Sequence, residues 1–104
     1  MTQIERIQAM EKIFNEVKAA VDGLEEALDA YEAVQAKFDQ LDEYYSGDVW
    51  MEDFEADEAG QIPKSIPRGV LSEDGVYDLI TKDRELNARL ADILGRYLRK
   101  GQEE

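Results

Sequence analysis

The chain contains no cysteine and no histidine. These two absences exclude disulfides, thiol nucleophiles, zinc sites built on Cys or His, and any triad that uses imidazole as its base. It contains only two prolines, Pro63 and Pro67, four residues apart, so no proline interrupts a helix over the first 60 positions. Long apolar runs are absent too, and no stretch of the sequence reads as a bilayer span. The N-terminus, Met1-Thr2-Gln3-Ile4-Glu5-Arg6, lacks a basic region followed by an apolar run, so no secretory signal is expected. Basic charge is scarce as well: 12 basic side chains stand against 25 acidic ones, for a net charge of −13. That balance argues against binding nucleic-acid phosphates or an anionic membrane, both of which need a basic surface. Without cysteines to stabilise a small fold outside the cell, the cytoplasm is the expected location.

What is present is enough for one folded domain. The 104 residues are 43% hydrophobic, close to the globular norm, so the charge does not imply disorder. The apolar positions recur at helical spacing and predict an all-α protein. A first long helix is predicted over residues 2–45. With Ile7 at heptad position a, the a row is Ile7, Phe14, Val21 and Leu28. The d row is Met10, Val17, Leu24, Tyr31, Phe38 and Tyr45, and the g row is Ile13, Ala20, Ala27, Val34 and Leu41. An a/d/g face is wider than a two-helix seam, so this helix should touch more than one neighbour. After Leu28 the a row turns polar at Gln35 and Asp42, as the drift of a straight helix against a seven-residue repeat requires. Gly23 is the expected site of a slight bend.

A short acidic helix is predicted over residues 48–59, capped by Ser46 or Asp48 and stopped by Gly60. The prolines mark a loop over residues 61–71. Ser72 is then the expected N-cap of a helix over 73–99, with Glu73 and Asp74 in its first turn. Its apolar positions run from Val76 through Leu79, Ile80, Leu86, Leu90, Ile93, Leu94 and Tyr97 to Leu98. Asp78–Lys82, Glu85–Arg89 and Asp92–Arg96 are spaced for supporting ion pairs. Residues 101–104 are expected to fray. The architecture expected is one helical domain over residues 1–100, with the long helix packed against the short acidic helix and the C-terminal helix. An antiparallel helical hairpin or three-helix arrangement closes such a monomer. At 1.5 Å per residue the first helix would span roughly 65 Å and the third roughly 40 Å, so a homodimer is the rival.

Three features are candidates for function. Asp48, Glu52, Asp53, Glu55, Asp57 and Glu58 form an acidic cluster with no base between Lys37 and Lys64. Asp53, Glu55 and Asp57 share the first spacings of a calcium loop, but Glu58 stands where that loop needs glycine and Lys64 where it needs glutamate. No metal site or cofactor is therefore expected, and the plain reading is a solvated acidic face. Tyr44, Tyr45, Trp50 and Phe54 are aromatic enough for a binding hot spot, but they equally suit a structural corner anchored by Trp50. Arg68 has the chemistry to clamp a carboxylate or phosphate, yet neutralising nearby acids is the simpler role. The polar residues Gln35, Asp83 and Asn87 interrupt the apolar faces and are candidates for setting register. For an enzyme the inventory is thin: acid–base work would fall to carboxylates, lysine or tyrosine, and no phosphate-cradling glycine loop is present.

Around Trp50-Met51-Glu52-Asp53-Phe54-Glu55-Ala56-Asp57-Glu58-Ala59-Gly60 the chain resembles a bacterial family known only as domain of unknown function 4298. The resemblance continues through Ile62-Pro63, Arg68-Gly69-Val70-Leu71-Ser72-Glu73-Asp74 and Tyr77-Asp78-Leu79, and takes in Arg6, Met10, Leu24 and Tyr31. It implies a small helical cytoplasmic protein with no assigned activity and no functional residues to transfer. It also implies that the acidic segment and the Arg68 loop form one unit, with Arg68 paired to an acid such as Asp53 or Asp57. The function expected is interaction through helix packing, with itself or with another helical protein. The alternative is a nucleic-acid mimic that occupies the basic groove of a DNA- or RNA-binding protein.

Overall fold

A computed structural model describes residues 2–103 of the chain, and side chains as far as residue 102. The described residues form four α-helices and one 3-10 turn, with no strand. The helices are α1 (Gln3–Ala33), α2 (Gln35–Ser46), α3 (Asp48–Glu58) and α4 (Gly75–Glu103), and the 3-10 turn is Gly69–Leu71. The fold is all-α. The chain divides into two compact units, Met1–Glu43 and Tyr44–Glu104.

In the first unit, α1 begins at a reciprocal cap. Thr2 Oγ1 accepts the Glu5 backbone N–H at 3.1 Å, and Glu5 Oε1 accepts the Thr2 N–H at 3.3 Å. These two bonds satisfy donors that a helix start otherwise leaves to water. The helix then runs across Gly23 without interruption. The interruption comes instead at Val34, and the predicted helix over 2–45 is two helices. Val34 has φ −105° and ψ 4°, which tightens the last turn of α1. Its N–H bonds the Tyr31 carbonyl at 3.3 Å, and the Gln35 Nε2 donates to that same carbonyl, also at 3.3 Å. The Val34 carbonyl in turn accepts the Phe38 N–H at 2.8 Å, so one residue closes α1 and opens α2. The break falls where the a row turns polar at Gln35. The side chain that ends the apolar row thus serves the backbone at the interruption.

The second unit is built around a short link between α3 and α4. Gly47, rather than Ser46 or Asp48, is the N-cap of α3, in extended backbone and with no side-chain bond. Asp48 instead lies in the first turn, where its charge complements the helix dipole. At the other end Gly60 has φ +75°, the left-handed region that glycine enters without steric cost. Its N–H bonds the Asp57 carbonyl at 3.0 Å, and the Gln61 N–H bonds the Ala56 carbonyl at 3.0 Å. This pair of bonds is the Schellman stop, and it turns the chain out of α3.

The segment that follows is ordered by its own backbone. Ile66 N–H bonds Pro63 O at 3.1 Å, and Leu71 N–H bonds Arg68 O at 2.9 Å. Ser72 then ties the 3-10 turn to α4: its Oγ donates to Gly69 O at 2.8 Å and accepts the Gly75 N–H at 3.1 Å. The second of these is the bond of an N-cap serine to the third residue after it. The regular helix runs on to Glu103, so residues 101–103 of the expected frayed tail are helical and Glu104 lies outside the described residues.

Candidate interaction site

The second unit buries three apolar side chains, Trp50 at 8% exposure, Leu71 at 8% and Val76 at 3%. Trp50 is the hub. Its indole N–H donates to the Val70 carbonyl at 2.9 Å, linking α3 to the 3-10 turn across 20 positions of sequence. Phe54, one helical turn later, stacks on its ring with centroids 5.1 Å apart and planes at 16°. Tyr45 meets the same ring edge-on at 5.0 Å and 71°. Offset stacking and edge contacts are the arrangements that aromatic quadrupoles favour. The aromatic cluster therefore holds a corner together, and Trp50 is not offered to a partner.

The acids of α3 are divided among different tasks. Asp57 pairs with Arg68, and both are partly buried, with Asp57 at 18% exposure and Arg68 at 32%. Asp53 takes another partner: its Oδ2 accepts the Tyr44 hydroxyl at 2.6 Å. This bond, with partial burial and the carboxylate charge, pushes the Tyr44 hydroxyl up to about 12, because each disfavours the phenolate. The pairing of Tyr44 with Asp53 is nine residues apart and has no sequence signature. The Arg68 loop and the acidic helix are thus joined by an ion pair and by the Trp50–Val70 bond.

An open cleft of about 460 Å³ lies beside this ion pair, lined among others by Phe54, Asp57, Lys64, Arg68, Leu71 and Glu73. Its charges are mixed, and its one arginine is engaged with Asp57. Among the described residues no three acidic side chains come together as a metal would need. Of the residues interrupting the apolar faces, Gln35 bonds the Tyr31 carbonyl and Asn87 Nδ2 donates to the Asp83 carbonyl at 2.8 Å. Each bond lies within a helix or across the α1–α2 junction.

Apolar side chains also stand open along the long helices. No described residue of α1 is buried, and its a row stands open, with Ile7 57% exposed, Phe14 59% and Val21 59%. Met10, Val17, Leu24 and Leu28 share the exposed face. On α4 the same holds for Leu79, Leu86, Leu90, Ile93, Leu94 and Tyr97. Monomeric proteins rarely leave contiguous apolar patches of this extent open, and such patches mark interaction surfaces. The Arg96–Asp92 pair at 3.2 Å and the Lys18–Asp22 pair at 2.7 Å lie at solvent-exposed positions of these helices.

Fold and surface together define an all-α protein with a small aromatic corner and long, uncovered amphipathic helices. The chain belongs to the family described as domain of unknown function DUF4298, whose match spans residues 7–93. That span includes α2, α3, the Arg68 loop and the greater part of α1 and α4. No curated protein and no solved structure matches the chain. No described helix is long and apolar enough to cross a membrane.

Proposed function

We propose that the chain is a small acidic interaction protein that works by burying the apolar faces of its long helices against other helices. The occupant is a further copy of the chain or another helical protein, for which it serves as adaptor. The observation that carries this reading is the open stripe of α1, from Ile4 and Ile7 through Phe14 and Val21 to Leu28. Burying such side chains is worth about 25 cal/mol per Å² of apolar surface, and charge at the edges of the stripe then selects the partner. A nucleic-acid mimic would use the acids alone and leave this stripe without a role. Membrane binding fits poorly, since amphipathic helices that lie on anionic membranes carry Lys and Arg beside the apolar face. Here residues 1–46 hold eleven acids and four bases. A chain without cysteine suits the reducing cytoplasm, and that is where we place it.

The test compares the immobilised protein with a stripe variant, Val17→Glu/Leu24→Glu, in nuclease-treated native lysate washed at low and high salt. The reading expects a helical partner, or the chain's own copy, that survives high salt on the original protein and is lost from the variant. Equal capture by both proteins of a basic nucleic-acid-binding protein that washes away at high salt would contradict it.

A further inference from the structure

The apolar faces of α1 and α4 are similar, but the charges beside them are opposite. Helix α1 carries eight acids and three bases, whereas α4 carries six bases and five acids. Position sharpens this difference. The α1 stripe is bordered, next to Ile7, Phe14 and Val21, by the row Glu11, Lys18, Glu25 and Glu32. The α4 stripe is bordered, next to Leu79, Leu86 and Ile93, by the row Lys82, Arg89 and Arg96. Viewed from the N-terminus at 100° per residue, the two charged rows lie on opposite sides of their stripes.

That handedness decides orientation. When two helices pack parallel, the leading edge of one stripe meets the trailing edge of the other, and charges at those edges choose partner and direction. A parallel pairing of α1 with α4 sets the acidic row against the basic row. It also sets the apolar Ile13, Ala20 and Ala27 row against the row of Ile80, Asn87 and Leu94. An antiparallel pairing would face the acids with Ile80, Asn87 and Leu94 instead, and would leave the basic row against the apolar Ile13, Ala20 and Ala27 row. Pairing α1 with its own copy fails both ways, with acids against apolar residues when parallel and acids against acids when antiparallel. The Arg96–Asp92 pair does not spend the basic row, because exposed pairs of this kind are weak.

Lengths agree: α1 has 31 residues and α4 has 29. Chain length indicates whose α4 it is. The start of α4 is anchored to α3 through the Trp50–Val70 bond, soon after α2 ends. The 12 residues of α2 span roughly 18 Å, less than half the roughly 46 Å of α1 that a same-chain parallel return must cover. We therefore infer that the occupant of the α1 stripe is α4 of a second copy of this chain, packed parallel, in a twofold dimer where each acidic row meets the partner's basic row. This rests on the interaction reading above and names its partner. A twofold axis makes the contact reciprocal, so both stripes of both copies are covered.

Charge reversal tests it on the full chain. One variant is Glu11→Lys/Glu25→Lys/Glu32→Lys, and the other is Lys82→Glu/Arg89→Glu/Arg96→Glu. Sedimentation equilibrium of the unaltered protein should give a mass near twice 11.9 kDa. Each variant alone should weaken association at least about tenfold, since its rows then repel. Mixed one to one, the two should associate again, because both pairs of facing rows are complementary only in the heterodimer. Rescue by mixing also shows that both variants fold, and Trp50 emission checks this independently. If either triple variant loses helicity, Glu25→Lys and Arg89→Glu make the same comparison singly. A dimer indifferent to reversal on α4, or a mixture that stays dissociated, overturns the α1–α4 pairing and leaves the interaction reading intact. A monomer up to about 100 μM also overturns the pairing, and the lysate comparison then decides the wider reading separately.

Discussion

Removing the Arg68 guanidinium should loosen the second unit by an amount that its burial sets. Asp57 is 18% exposed and Arg68 32%, so the pair lies between two regimes. Fully exposed ion pairs contribute about 0.2–1 kcal/mol, whereas breaking a fully buried pair costs about 3–5 kcal/mol. A pair in between, hydrogen-bonded and partly desolvated, should make Arg68→Ala cost about 1–2 kcal/mol, chiefly because Asp57 loses its counter-charge. Asp57→Asn should cost somewhat less, since the amide oxygen still accepts a bond. The double variant then separates the interaction from the losses of each side chain, with a coupling of about 1 kcal/mol expected. Urea unfolding followed by Trp50 emission is the suitable assay, because Trp50 is the only tryptophan and is buried beside the Arg68 loop. A coupling indistinguishable from zero, with Arg68→Ala neutral, would refute the reasoning and leave Arg68 available to a ligand in the adjoining cleft.

Other substitutions probe the stops and caps of the same unit. Gly60→Ala should destabilise it by about 1–2 kcal/mol in urea unfolding, because φ is +75° there, and Gly60→Asn should recover part of that loss. Gly75→Ala should also destabilise, although alanine is the better helix former. An added Cβ would lie 2.3 Å from the Ser72 Oγ that caps α4 and 2.9 Å from the Gly69 carbonyl. Tyr44→Phe should flatten the alkaline limb of the pH–stability curve. The Tyr44 hydroxyl is raised from 10 in the unfolded chain to about 12, so its contribution is full below pH 10 and is lost as pH rises toward 12. A limb of unchanged slope in the variant would show that the Asp53 bond does not hold that proton.

Much of this construction is legible in the residues, for reasons that differ by element. Gly60 reads as a stop because few other residues enter the left-handed region, and Ser72 reads as a cap because its hydroxyl suits the bond it makes. Thr2 and Glu5 have the spacing of a capping box, a signal present in the sequence and overlooked in favour of the heptad pattern. The break at Val34 is harder to see. Val34 continues the g row, and only the change at Gln35 marks the place, where a side chain competes for a backbone carbonyl. At Gly23 the helix is weakened but not interrupted, since glycine weakens a helix without obliging it to break. The cap of α3 at Gly47 shows the same limit, because Ser46 and Asp48 are better N-caps by type and neither holds the position. At the corner, Trp50 is a natural anchor by size, but its bond to the Val70 carbonyl and the Tyr44–Asp53 bond depend on the tertiary path of the chain. Periodicity gives the width of an apolar face and its edge charges, and it does not say which helix covers that face.

The central claim, that α1 is covered by association between chains, is tested most directly by amide hydrogen exchange along residues 3–33 as a function of protein concentration. Helix α1 has no buried residue within the chain, so its amides should exchange rapidly in dilute solution. The account predicts that protection of α1 and α4 rises together with concentration, while the amides around Trp50 and Leu71 in the second unit change little. Protection of α1 that is already high in dilute protein and independent of concentration would contradict it.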